Sequence, residues 1–146
     1  MSSPASAPIW ARSRVDCALL ILRIDSALVF LYHGSAILFG AFGGPGPQKF
    51  AAAMHAPAFI GYLVGLAQFC GGLSMITGVF IRIGAASIAI VMLGAIFLVH
   101  WQHGFNVSKG GIEYALTQFL IAMALLLTGP GKYSLAGILP GALRKL

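Results

Sequence analysis

The feature that most constrains this chain is the stretch from Ile83 to Leu127, a long apolar run broken only once. It consists of IGAASIAIVMLGAIFLVH, then WQHGFNVSKGG, then IEYALTQFLIAMALLL. Each apolar part approaches the ~20 residues that a helix needs to cross a hydrocarbon layer of ~30 Å. The polar patch between them holds Trp101, His103, Asn106, Lys109 and the adjacent Gly110 and Gly111. That composition suits a membrane–water boundary, where tryptophan anchors and the backbone can turn. The pattern predicts a transmembrane hairpin with its polar groups at the tip.

The rest of the sequence agrees. The 146 residues are 59% apolar and 8% charged, whereas soluble domains carry about 25% charged residues. Membrane burial explains the deficit. Net charge is +6, with Asp16, Asp25 and Glu113 the only acids. The basic residues stand at the ends of apolar runs, which fits lipid headgroups and topology control and argues against nucleic acid as a partner. Cys17 and Cys70 imply no disulfide framework and read as small packing residues. The polar, Pro/Ser-rich start lacks the features of a cleavable signal peptide.

The expected fold is therefore all-α, a membrane-embedded four-helix bundle. Residues 1–16 are expected to form a mobile arm with an interfacial anchor at Trp10, Arg12 and Arg14. Residues 17–129 form the four-helix domain, with spans at about 17–39, 57–80, 83–101 and 112–128. Residues 130–146 form a tail. GGPGP within 40–56 and Gly129-Pro130-Gly131 stop helices, because proline lacks the amide and glycine is entropically costly there. A tight turn is expected at Ile81-Arg82-Ile83. Arg12, Arg14, Arg82, Lys132, Arg144 and Lys145 fall on one side, against Lys49 and Lys109 on the other. The positive-inside bias then places both termini in the cytoplasm.

Gly61, Gly65, Gln68 and Gly72 form one helical stripe, and Ser87, Ile90, Gly94 and Phe97 a weaker one. Small residues let helices approach closely in lipid, so both stripes, with Gly94 included, are expected to face other helices. Ionisable groups within the membrane need partners or hydration. Arg23 either snorkels to the headgroups or pairs with a charge. Asp25 is either protonated or paired with a basic residue such as Arg82 or Lys132. The topology gathers His33, His55, His100, His103 and Glu113 in the outer half. His33, His100 and Glu113, with Gln68 below them, are the candidate polar, quinone-proximal cluster. The alternative is a hydrogen-bonded knot that ties a loop to the helices. The histidine spacing matches no standard metal site, and nothing here pairs a nucleophile with a base.

Several segments carry a resemblance. LLILRI ahead of FLYHG, GGLSMITGVFIRIGA, VMLGAIFLVH followed by GF, GGIEYAL and GPGKYSL occur in this order and spacing. Together they resemble the DoxX family of small four-helix membrane proteins, over nearly the whole length from Leu20 to Leu135. Arg23, His33, Gly34, Gly72, Arg82, His100, Glu113 and Tyr133 stand at positions similar to the family pattern. The chain departs from that pattern at Ile37, where a lysine is common, at Gln68, where a glutamate is common, and at Ala136, where an aspartate is common. Losing the span-two acid tilts the expectation toward a subunit or scaffold, since glutamine cannot carry a proton reversibly. The resemblance implies respiratory or redox contexts, including a membrane subunit of thiosulfate:quinone oxidoreductase. The expectation is a multi-pass inner-membrane protein that is an accessory or quinone-proximal subunit, with other membrane subunits or its own copies as partners. A stand-alone structural membrane protein is the alternative. A small-solute transporter is disfavoured by the short chain and the lack of inverted repeats.

Overall fold

The computed structural model describes residues 9–141. Among them the chain is all-α, with no strand. Helix α1 spans Ile9–Phe39, α2 Gly46–Ala53, α3 Ala58–Thr77, α4 Ile81–Gly94 and α5 Glu113–Thr128. The chain of α4 continues through a π-turn, Ala95–His100, and a 3-10 turn, Trp101–His103. Helices α3 and α4 with its continuation are long and apolar enough to cross a membrane.

Glycine and proline set the ends. Gly40 (φ 67°) closes α1, Pro57 precedes α3, and Gly129 (φ 78°) closes α5 ahead of Pro130. Two boundaries differ from expectation. Helix α1 begins at Ile9 rather than Cys17, so residues 9–16 belong to the helix and not to an arm. No proline interrupts the sequence between Pro8 and Pro45, so nothing stops the helix there. Residues 1–8 and 142–146 lie outside the described part, as do the Trp10 side chain, Arg144 and Lys145. The second turn sits at Gly78–Phe80 rather than at 81–83. Gly78 is left-handed (φ 73°) and donates its N–H to the Ser74 carbonyl, which ends α3 before the polar Arg82 is reached.

The long helices pack in the order α1, α3, α4, α5, with α5 returning to touch α1 at only a few positions. Close approach rests on glycines. A Cβ on Gly34 would come within 2.5 Å of the Phe69 backbone nitrogen, and one on Gly61 would overlap the Pro47 carbonyl of α2. Gly65 and Gly72 lie against Ile37, Leu38 and Leu31 of α1, while Gly71 meets Ile88 and Gly84 meets Ser74 across the α3–α4 seam. Ser87 bonds the Ala67 carbonyl over the same seam, at 3.3 Å.

Of the weaker stripe on α4 only Ser87 reaches a neighbouring helix; Ile90, Gly94 and Phe97 do not pack. A methyl added at Gly94 would meet no atom within 4 Å, and Ile90 and Phe97 are 70% and 61% exposed. The buried face of α4 is instead Ile81, Ala85, Ile88, Met92 and Ile96. Ile88 fills the hollow over Gly71, and with the Gly84–Ser74 approach this helps to set the rotation of a mostly apolar helix. Cys17 and Cys70 are exposed and unpaired, so neither is a packing residue. Large side chains such as Ile21, Leu28, Leu98, Leu120 and Leu127 also face outward. An apolar exterior of that extent suits lipid rather than water.

Candidate functional site

At the end where α3 finishes and α5 finishes, Arg23 is 1% exposed. Its guanidinium donates from Nε to the Met75 carbonyl at 2.8 Å and from Nη2 to Ile76 at 3.0 Å. Nη1 donates to Pro130 at 2.9 Å and to Tyr133 at 2.6 Å. Met75 and Ile76 belong to the last turn of α3, whose carbonyls have no partner within the helix. A fixed cation there also complements the negative end of the helix dipole. Arg82 acts similarly on α5, donating to the Leu126 carbonyl at 2.9 Å. Asp16 accepts from the Lys132 backbone N–H at 2.9 Å. These contacts tie the start of α1 to the segment that follows α5.

The expected pairing among Arg23, Asp25 and Arg82 is therefore replaced. Both arginines spend their donors on backbone carbonyls. Asp25, two residues from Arg23 and on the opposite face of α1, accepts through Oδ2 from Gln118 Nε2 at 3.2 Å. Gln118 is 3% exposed, and its Oε1 accepts from the hydroxyl of the buried Ser26 at 3.3 Å. Tyr114, one turn earlier on α5, lies within electrostatic reach of Asp25 and is 43% exposed. Asp25 itself is exposed, between the outward-facing Ile21 and Leu28. Sequence reasoning missed Gln118 and Ser26. The available signal was that Gln118 is the sole amide in the apolar run of α5.

At the opposite end, His100 closes the π-turn and its Nδ1 is 2.6 Å from the Gly110 carbonyl. Because a carbonyl only accepts, that nitrogen carries the proton. Glu113 opens α5 and accepts from the Val107 N–H at 2.9 Å. A carboxylate at a helix N-terminus is also favoured by the dipole. Between them the loop folds on itself. Ile112 and Glu113 donate to the Gly104 and Phe105 carbonyls, and Asn106 caps the turn through Ser108. His100 and Glu113 thus staple one loop from its two flanks. Replacing either by alanine is expected to cost about 1–2 kcal/mol. Hydrogen exchange checks this: the Val107 amide should speed up in the Glu113→Ala protein, with the α3 amides unchanged.

The four residues of the candidate cluster do not bond to one another. His33 is exposed on α1, with its ring edge-on to Tyr32 at 5.3 Å, and Tyr32 in turn stacks on Phe42 at 4.8 Å. Gln68 is 6% exposed in α3, and its Oε1 is buried with no hydrogen-bond partner. His33 lies seven residues beyond Ser26, close to the same face of α1. Among the described residues no group of three His, Cys, Asp or Glu is arranged to hold a metal ion.

Comparison with known proteins places these features in a context. The family model described as DoxX matches residues 18–101. "Inner membrane protein YqjF" of Escherichia coli (strain K12) is 32% identical over 124 residues, covering 85% of this chain and 93% of that protein. "Putative oxidoreductase CatD" of Bacillus subtilis (strain 168) is 27% identical over 110 residues, covering 75% and 78% respectively. No solved structure matches.

Proposed function

The chain belongs to the DoxX family of membrane proteins, and from that premise we propose that it is an accessory, quinone-proximal subunit of a redox assembly in the bacterial inner membrane. In this reading the four long helices form a multi-pass bundle. Both termini are cytoplasmic, and the loops at 40–57 and 101–112 face outward. The arginine-clamped end carries the larger share of positive charge, as the positive-inside bias requires of the cytoplasmic face.

One observation carries the proposal. A largely apolar exterior is breached by the carboxyl of Asp25, which accepts from Gln118, itself held by Ser26. A polar group at such a depth is costly unless something uses it. The names of the two relatives, an inner membrane protein and an oxidoreductase, point the same way. In this reading the reaction belongs to a partner, and this protein contributes the lipid-embedded surface.

A second reading has its own support. Arg23, Arg82, His100 and Glu113 all direct their polar atoms at backbone groups, as a stand-alone structural protein would. Purification from the native membrane in mild detergent separates the two. The proposal expects a redox protein or extractable quinone to co-elute in stoichiometric amount. Elution of the chain with neither would leave only the structural reading.

A further inference from the structure

Between α3 and α4 the exterior carries a groove of about 780 Å³. Its floor is Gly71, Ser74 and Gly84, where the two helices already touch. Its rim is Leu63, Leu66, Leu73 and Ile83, which are 43–56% exposed. On α3 the lining runs from Leu63 to Thr77, a length of ~21 Å at ~1.5 Å per residue. One leaflet contributes ~15 Å to a ~30 Å hydrocarbon core, so a chain from that leaflet can lie along the groove.

The lining decides what kind of molecule fits. Each hydroxyl proton in the wall is already spent on a backbone carbonyl. Ser74 donates to Val79 at 2.6 Å, Thr77 to Leu73 at 2.8 Å and Ser87 to Gly84 at 2.8 Å. A polar head seated here finds no free side-chain donor except the Cys70 thiol, a weak one. Hydrocarbon needs none. A helix from another chain fits poorly, because membrane helices meet where small residues let backbones approach. Here the small residues lie on the floor, under a rim of branched side chains.

Charge says which molecule brings the hydrocarbon. The groove opens at Thr77–Phe80, on the arginine-clamped end of the bundle. Arg82, between the lining residues Phe80 and Ile83, is exposed and commits only Nη1, to the Leu126 carbonyl. Arg12, Arg14 and Lys132 stand at the same end, against the single acid Asp16. The first turn of α4 contains no acid, and the positive pole of its dipole adds to the field. An anionic headgroup is attracted to such a surface.

We propose that the α3–α4 groove binds one acyl chain of an anionic phospholipid, with its headgroup at the Arg82 end. The site is separate from Asp25 and Gln118 and does not depend on the redox reading.

The test is native mass spectrometry of the full chain released from nanodiscs. These hold equal amounts of phosphatidylglycerol and phosphatidylcholine with the same acyl chains. One phosphatidylglycerol per chain is expected to survive release, severalfold in excess of phosphatidylcholine. Cys70→Phe fills the groove from an exposed position and should lose most of that lipid. Ile90→Phe, on the exposed face of α4 outside the groove, should keep it. Arg82→Gln should retain lipid but with a smaller excess of phosphatidylglycerol. Melting temperatures verify that each variant is folded. A second readout leaves the groove unaltered: in a Cys17→Ser background, Cys70 should react with a lipid-soluble maleimide severalfold more slowly once phosphatidylglycerol is added to delipidated protein. No retained lipid, or equal retention by the parent and Cys70→Phe, overturns the site. Equal retention of the two phospholipids overturns the choice of an anionic one. A dimer that Cys70→Phe dissociates, or a co-purifying protein crosslinked at Cys70, makes the groove an interface between chains and also overturns the proposal.

Discussion

Replacing Arg23 with alanine is expected to abolish accumulation of folded protein or to lower its melting temperature more than any other single change. Four carbonyls lose a charged donor at once, two in the last turn of α3 and two after α5. Each buried carbonyl left without a partner costs about 1–3 kcal/mol. Water entering the space vacated by the side chain offsets part of this, leaving a net cost on the order of 4 kcal/mol or more. Against a total stability of about 5–15 kcal/mol, that is a large fraction. The loss should be felt first where chain ends meet, so the 130–133 segment is expected to become protease-sensitive before the helices separate. Arg23→Lys keeps the charge but not the planar fork, and cannot reach all four oxygens, so it should fall midway. Fluorescence-detected size exclusion after a temperature ramp in detergent is the check. An Arg23→Ala protein that melts within about 2 °C of the parent would mean that the clamp contributes less than about 1 kcal/mol.

Gly34→Ala is the second large effect. A methyl there would stand 2.5 Å from the Phe69 nitrogen and 2.8 Å from its Cα, and backbone cannot move aside as a side-chain tip can. Helices α1 and α3, the most extensively packed pair, would have to separate along their length. Overpacking of this kind costs about 1–3 kcal/mol, occasionally more. The matched control is Gly94→Ala, where a methyl meets nothing within 4 Å. It should be neutral, or stabilising by up to about 1 kcal/mol through helix propensity. The same melting measurement on both proteins decides the matter. Equal losses would show that the cost comes from glycine-specific backbone geometry rather than from helix contact.

The contrast between these glycines marks how far the sequence can be read. Membrane class and helical content follow from composition and run length, which need no knowledge of contacts. Helix ends at Gly40 and Gly129 are legible because glycine and proline act locally. The second turn is displaced from its expected place at Arg82 because backbone conformation at Gly78, and not side-chain polarity, ends α3. The packing face of α4 is not legible, since that helix is mostly apolar on every side and close contacts over Gly71, Gly84 and Ser87 select its rotation. Arg23 and Asp25 are visible as residues in need of partners. Those partners are not, because they are backbone oxygens 52 to 110 positions away and an amide 93 positions away. In sequence, His100 and Glu113 look like members of a shared site. The structure instead gives each a backbone partner in the intervening loop, where proximity along the chain brings them.

The proposed topology requires the arginine-clamped end and the His100–Glu113 loop to lie on opposite faces of the membrane. In a background of Cys17→Ser and Cys70→Ser, single cysteines are introduced by Ser108→Cys in the loop and Gly137→Cys beyond the clamp. Both positions are exposed, and both are probed in intact spheroplasts with a membrane-impermeant maleimide. The expected result is labelling at 108 from outside, and at 137 only after the membrane is permeabilised. Labelling of both from the same side would contradict it.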